Sequence, residues 1–355
     1  MTQHARGPLF IDLEGPEMSQ EERELLAHPL VGGVVLFTRN FVDRAQISAL
    51  CQAIKRAHGR DLVICVDHEG GRVQRFRDNG FTVLPAAALL GRQYARDPEA
   101  AMRLAGRVGW LLGHELKAVG VDVSFAPVID CAHPDSTVLG DRTFDVAPGV
   151  IAALAGRVLE GMHAAGVVGC IKHFPGHGGV SEDSHTSLPQ DARAMSALEA
   201  RDLIPFRLLC RAEAVMTAHV RFPAIDPDIP CFSRFWLGDI LRGRLGFDGM
   251  VVSDDLTMAG AVALEPRAED RVARALLAGC DIVLMLNDRA GVIAALDGVR
   301  GVGPVHEQRW RRWGSPLGRA AEMADFEDFG AISIAAVAGE IEALKADFAE
   351  HGDQA

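Results

Sequence analysis

Leu9-Phe-Ile-Asp-Leu-Glu-Gly-Pro16 opens as a short apolar run and breaks at once into an acidic turn closed by Gly15 and Pro16. A dinucleotide-binding sheet would need a Gly-x-Gly-x-x-Gly fingerprint at this first strand-to-helix turn, and none is present. Working outward, the same kind of unit recurs along the chain. Runs rich in Val, Ile and Leu lie at Leu9–Asp12, Gly33–Phe37, Leu62–Asp67, Asp122–Pro127, Val167–His173, Ala214–His219, Met250–Asp254 and Asp281–Leu286, each followed by a longer helical pattern. Eight such units predict an α/β chain closed into a single (β/α)8 barrel of the TIM type. Helix starts are signalled by Ser19-x-x-Glu22 as a capping box, by Asp97-Pro98 as N-cap and first helical residue, and by Ser233 ahead of Trp236–Leu245.

With 355 residues, 48% of them apolar, the chain can bury one large core, so a single catalytic domain is expected over 1–355. The barrel takes about 8–300. From Gly301 onward, Trp310-Arg-Arg-Trp313 and an Ala/Glu-rich tail read as a short C-terminal helical appendage, 301–355, too small to bring a second catalytic unit. A net charge of −12 with scattered Lys and Arg argues against nucleic acid or an anionic membrane and favours a small-molecule substrate. No run is apolar and long enough to span a bilayer, and the N-terminus has no apolar signal region, so a cytoplasmic location is expected. Cys51, Cys65, Cys131, Cys170, Cys210, Cys231 and Cys280 are odd in number and without a Cys-x-x-Cys pair, which reads as reduced core thiols.

Barrels of this type build their sites at the C-terminal ends of the strands. Here those ends are polar: Asp67-His-Glu-Gly-Gly-Arg72, Lys172-His173, His219 and Ser253-Asp-Asp255. Asp254 follows the apolar run Met250-Val-Val252, where a carboxylate must be paired or functional because burying an isolated charge is costly. By the period-two rule Asp255 points the other way, although spacing alone does not decide which of the two is the nucleophile.

The segment Lys172-His-Phe-Pro-Gly-His-Gly-Gly179, running on to Asp183-Ser-His185, is kept from regular helix by Pro175 and its glycines and predicts a mobile loop. Asp183, one residue removed from His185, can orient and charge that imidazole, giving a pair able to donate and later accept a proton. Two other chemistries fit the same residues. His173, His177, Asp183 and His185 form a candidate zinc set, and Lys172 a candidate Schiff-base lysine.

Taken together, Lys172–Gly178 with Asp183-x-His185, Asp67–Arg75 and Ser253–Leu256 resemble glycoside hydrolase family 3, specifically the bacterial β-N-acetylglucosaminidases of peptidoglycan recycling, over about residues 8–290. The resemblance implies a cofactor-free retaining exo-β-N-acetylglucosaminidase. Asp254 would be its nucleophile, and His185, tuned by Asp183, its acid/base. It further implies that Asp67, Arg75, Arg142, Lys172 and His173 hold the N-acetylglucosamine ring, with a muropeptide fragment such as GlcNAc-1,6-anhydroMurNAc as substrate and no metal. His68, where many relatives have Gln, is a departure that bears on sugar recognition. Other family 3 β-glycosidases, phosphorylases and metal-dependent barrel hydrolases are the alternatives, and a monomer is the expected state.

Overall fold

The computed structural model describes residues 7–57, 62–131, 139–180, 188–301, 305, 307–314 and 332–351. Its strands are β1 (Leu9–Asp12), β2 (Val31–Leu36), β3 (Val63–Val66), β4 (His68–Gly70), β5 (Val73–Gln74), β6 (Val123–Ser124), β7 (Val168–Phe174), β8 (Ala214–Thr217), β9 (Met250–Asp255) and β10 (Ile282–Met285). Eight of them close into a barrel in the order β1-β10-β9-β8-β7-β6-β3-β2, with every pairing parallel. All eight expected strands are there; β1 has the expected bounds and the others differ at one or both ends by one to three residues. The remaining two, β4 and β5, form a separate antiparallel hairpin on the loop after β3.

The first helices are α1 (Gln20–Ala27), α2 (Arg44–Arg56), α3 (Ala87–Arg96), α4 (Pro98–Val119) and α5 (Pro148–Ala164). They are followed by α6 (Met195–Ala200), α7 (Leu203–Leu208), α8 (Ala259–Leu264), α9 (Ala268–Ala278), α10 (Arg289–Gly298), α11 (Glu307–Gly314) and α12 (Ile334–His351). The caps form as expected. Ser19 and Glu22 make the reciprocal capping box of α1, and the Asp97 side chain accepts from Ala100 N–H with Pro98 opening α4. Ser233 Oγ likewise accepts from Trp236 N–H at 3.1 Å. The helix it starts, Phe235–Arg244, is however a π-helix, in which Leu245 N–H reaches back five residues to Ile240 O at 2.9 Å.

Strand alternation sorts the apolar side chains into two cores. Leu9, Ile11, Val34, Leu36, Ile64, Val66, Val215 and Val251 face the helices, whereas Phe10, Val35, Cys65, Cys170, Met216 and Val252 fill the barrel. Gly33 makes room for this filling: a Cβ there would lie 2.5 Å from the Phe10 ring and 2.5 Å from Val63 O. The inner core ends on α11. Trp313 stacks on Phe10 at a centroid distance of 5.7 Å, Trp310 meets the same ring edge-on at 6.4 Å, and Arg309 pairs with Asp281, just ahead of β10, at 2.7 Å. These contacts lie at the end of the barrel where the strands begin.

At the opposite end the inner positions turn from apolar to charged. Continuing in steps of two, Phe10 leads to Asp12, Cys65 to Asp67, Cys170 to Lys172 and Val252 to Asp254. The fold thus carries ionisable groups from four strands onto one mouth.

Candidate active site

Lys172, on β7, is almost completely buried between two carboxylates. Its Nζ lies 2.9 Å from Asp67 Oδ1 and 2.6 Å from Glu69 Oε1. Asp67 also accepts from Arg75 at 3.1 Å, and Glu69 receives Arg142 through both Nε, at 2.8 Å, and its terminal amino group, at 2.7 Å. The result is a row of alternating charge, Arg142, Glu69, Lys172, Asp67, Arg75, drawn from a 3-10 turn, the hairpin, two strand ends and the loop between them. Burial opposes ionisation of Asp67 and Glu69, but the neighbouring cations hold both carboxyls below the usual range. Burial likewise works against the ammonium of Lys172, yet the two carboxylates raise its value. Asp67, Glu69 and Lys172 are therefore charged at neutral pH.

The hairpin that delivers Glu69 and Arg75 turns at Gly70 and Gly71, with φ of +97° and +54°. A Cβ on Gly70 would sit 2.4 Å from Pro85 O, so the turn packs directly on the following segment and only glycine fits both demands.

His173 follows Lys172 on β7. Its Nδ1 is 2.7 Å from Asp130 Oδ2, and its backbone N–H donates to the same oxygen at 3.2 Å. The other oxygen of Asp130 accepts from His177 N–H at 2.7 Å, so one buried carboxylate anchors the strand end and the start of the glycine-rich loop. Burial disfavours the charge on Asp130, but His173 and His177 hold its carboxyl below the usual range. Burial, followed by the charge of His173, depresses the basicity of His177.

Asp254, half-buried at the end of β9, accepts from Asp255 N–H at 2.8 Å, and its charge acts on His177 across the mouth. Asp255 points away, as the strand period predicts. Its Oδ1 accepts from Thr257 N–H at 3.0 Å and Leu286 N–H at 3.1 Å, tying together the ends of β9 and β10. Burial nevertheless pushes its carboxyl up to about 7. Because that value lies above the unfolded one, Asp255 favours the folded state fully only below about pH 4, and the contribution fades as pH rises through 7. The Asp255 contribution to wild-type stability in urea should therefore decline between about pH 4 and 7, and Asp255→Asn, which keeps an acceptor oxygen, should flatten that decline. An unaltered slope would contradict the assignment.

Of the residues expected at the site, Asp67, Arg75, Arg142, Lys172, His173 and Asp254 gather at this mouth. Asp183 and His185 lie outside the described residues. His68 departs from expectation: its ring is fully buried against Phe76 and Phe81, at centroid distances of 5.8 and 5.9 Å, and does not face the mouth. Residues on an extended hairpin alternate, so His68 points opposite to Glu69 and Asp67. Neither of its ring nitrogens has a hydrogen-bond partner among the described residues, and burial lowers its pKa to about 3. Replacing this orphaned imidazole by Leu should raise stability by roughly 1–2 kcal/mol; a loss in urea denaturation would show that the imidazole is satisfied in solution.

Sequence reading passed over Glu69 and Asp130. The signal for Asp130 is the one that marks Asp254, an acid directly after an apolar run, here Phe125-Ala-Pro-Val-Ile129. Among the described residues no group of three or more His, Cys, Asp or Glu side chains converges as a metal site.

Residues 7–312 match the glycosyl hydrolase family 3 N-terminal domain. The chain belongs to glycosyl hydrolase family 3. It is 50% identical over 305 residues to a beta-hexosaminidase from Alkalilimnicola ehrlichii, covering 85% of this chain and 87% of the relative. Among solved structures, native NagZ from Neisseria gonorrhoeae superposes with a TM-score of 0.86 at 40% identity, over 97% of this chain and 99% of that one. The gonococcal protein has also been solved in complexes with zinc ion and with N-trifluoroacetyl-D-glucosamine, at TM-scores of 0.85 and 0.86, each at 39% identity and over 97% of this chain and 99% of the other.

Proposed function

We propose that the chain is a retaining exo-β-N-acetylglucosaminidase with Asp254 as nucleophile and His185, oriented by Asp183, as acid/base. The observation that carries this reading is Asp254 itself, a carboxylate on the inner face of β9 that shares the barrel mouth with the charged row and with His177. The beta-hexosaminidase relatives support the same substrate class, as does the glucosamine derivative bound by the gonococcal neighbour.

In the first step Asp254 attacks the anomeric carbon. The bond to the aglycone oxygen breaks, that oxygen takes the proton of His185, and a glycosyl ester remains on Asp254. In the second, His185 removes a proton from water, whose oxygen displaces the carboxylate. Paired carboxylates in retaining enzymes stand about 5–5.5 Å apart, and an imidazole on a loop is not bound to that spacing. Asp67, Arg75, Arg142, Lys172 and His173 hold the sugar's hydroxyl and acetamido groups.

The natural substrate is a peptidoglycan fragment, GlcNAc-1,6-anhydroMurNAc with or without peptide. No cofactor is required, and the protein acts in the cytoplasm as a monomer; no helix among the described residues is long and apolar enough to cross a membrane. The chain acts as one catalytic unit, barrel 8–300 with its appendage 301–355.

The test is trapping with a 5-fluoro N-acetylglucosaminyl donor, which should leave a mass adduct on the peptide containing Asp254. An adduct elsewhere, or none with active enzyme, defeats the nucleophile assignment. Loss of turnover on chelation or borohydride treatment would move the chemistry to a metal or to Lys172, and acceleration by phosphate would replace water as acceptor.

A further inference from the structure

We propose that Glu69 is a positioning residue for sugar binding, acting through Arg142 and Lys172 without touching the ligand. The proposal rests on the reading of those two cations as sugar-binding groups. Its own support is how the Glu69 carboxylate is used. Oε2 takes Arg142 Nε, and Oε1 is shared between the Arg142 terminal amino group and Lys172 Nζ, with the side chain only 6% exposed. Both oxygens thus accept from protein cations, Oε1 from two of them.

A carboxylate gripping the side of a guanidinium fixes both its plane and its distance, which a single hydrogen bond does not. Arg142 stands at the end of a three-residue 3-10 turn, Gly140–Arg142, so its long side chain depends on this grip for a defined direction. Its second terminal amino group has no partner among the described residues and is the edge left for a ligand.

Glu69 also solves an electrostatic problem. Arg142 and Lys172 are close enough for the guanidinium charge to work against the ammonium. With Glu69 between them the two cations can present donors to the same ring; without it, repulsion drives them apart and leaves Asp67 as the sole counter-charge of Lys172. The carboxylate is well placed to do this because its hairpin is locked at Gly70 and Gly71 against Pro85 and Ala86.

The experiment is a double-mutant cycle read by equilibrium binding of N-acetylglucosamine in calorimetry, with aryl N-acetylglucosaminide kinetics alongside. Glu69→Gln should weaken binding and raise KM tenfold or more while kcat changes less, and Glu69→Asp should recover part of the loss. In an Arg142→Ala background, Glu69→Gln should cost less than it does in the wild type, the remainder passing through Lys172. Unchanged binding in a folded Glu69→Gln protein, or effects that multiply independently in the double variant, would overturn the proposal. If Glu69→Gln does not fold, Glu69→Asp with Arg142→Ala completes the cycle and is judged by the same criteria. A failed adduct on Asp254 would strike the catalytic reading alone, because coupling measured in N-acetylglucosamine binding does not depend on which group attacks the sugar.

Discussion

Asp254→Ala is expected to lower kcat for an aryl N-acetylglucosaminide on the order of 10³-fold or more, since the covalent route loses its nucleophile while the binding residues stay in place. KM should move little by comparison. The vacated space beneath the anomeric carbon then gives a second readout. Added azide should restore turnover and yield a glycosyl azide of inverted configuration, because the anion attacks from the face that Asp254 occupied. Asp254 is half-buried at the barrel mouth, and its Oδ1 accepts from the adjacent Asp255 N–H. Activity within tenfold of wild type would mean that attack comes from another group, the acetamido oxygen being the chemical alternative.

Lys172→Met should be the most damaging change to stability. The ammonium is only 3% exposed and balances two carboxylates, so its removal leaves Asp67 and Glu69 facing each other with one arginine apiece. Breaking a buried ion pair from one side costs about 3–5 kcal/mol. The pH dependence fixes the cause. Carboxyls with depressed values stabilise the fold above their unfolded values and lose that contribution as pH falls through the folded ones. The gap between wild type and Lys172→Met should therefore be widest near neutral pH and begin to narrow only below about pH 4, as pH falls toward the depressed folded values. A gap independent of pH would point to lost packing, which methionine largely preserves.

The barrel was legible because buried parallel strands are short runs of branched apolar residues, and eight of them punctuate this chain. The ends drifted by one to three residues, as at Ser124, Thr217 and Met285. The β4–β5 hairpin left no such trace: Asp67-His-Glu-Gly-Gly-Arg72 is polar and glycine-broken, and its strand character comes from pairing across the turn. The π-helix was equally hidden, since the buried positions Trp236, Leu237, Ile240 and Leu241 suit an i→i+5 ladder as well as an α-helical one.

Residue types at the mouth could be read, but not their partnerships. Glu69 meets Arg142 across 73 residues and Asp130 meets His173 across 43, separations over which no local pattern carries information. His68 shows the converse, a chemically suggestive residue that alternation turns inward.

The tryptophans of α11 bear on where this protein can be shortened. All eight strands are complete by Met285, so a chain cut near residue 300 would keep its full sheet and every ionisable group of the mouth. It would nonetheless leave the Phe10 ring without a floor and strip Asp281 of Arg309. What looks like a detachable tail is the stopper of the barrel, and a chain trimmed ahead of it would expose its own interior to solvent and to other molecules like itself.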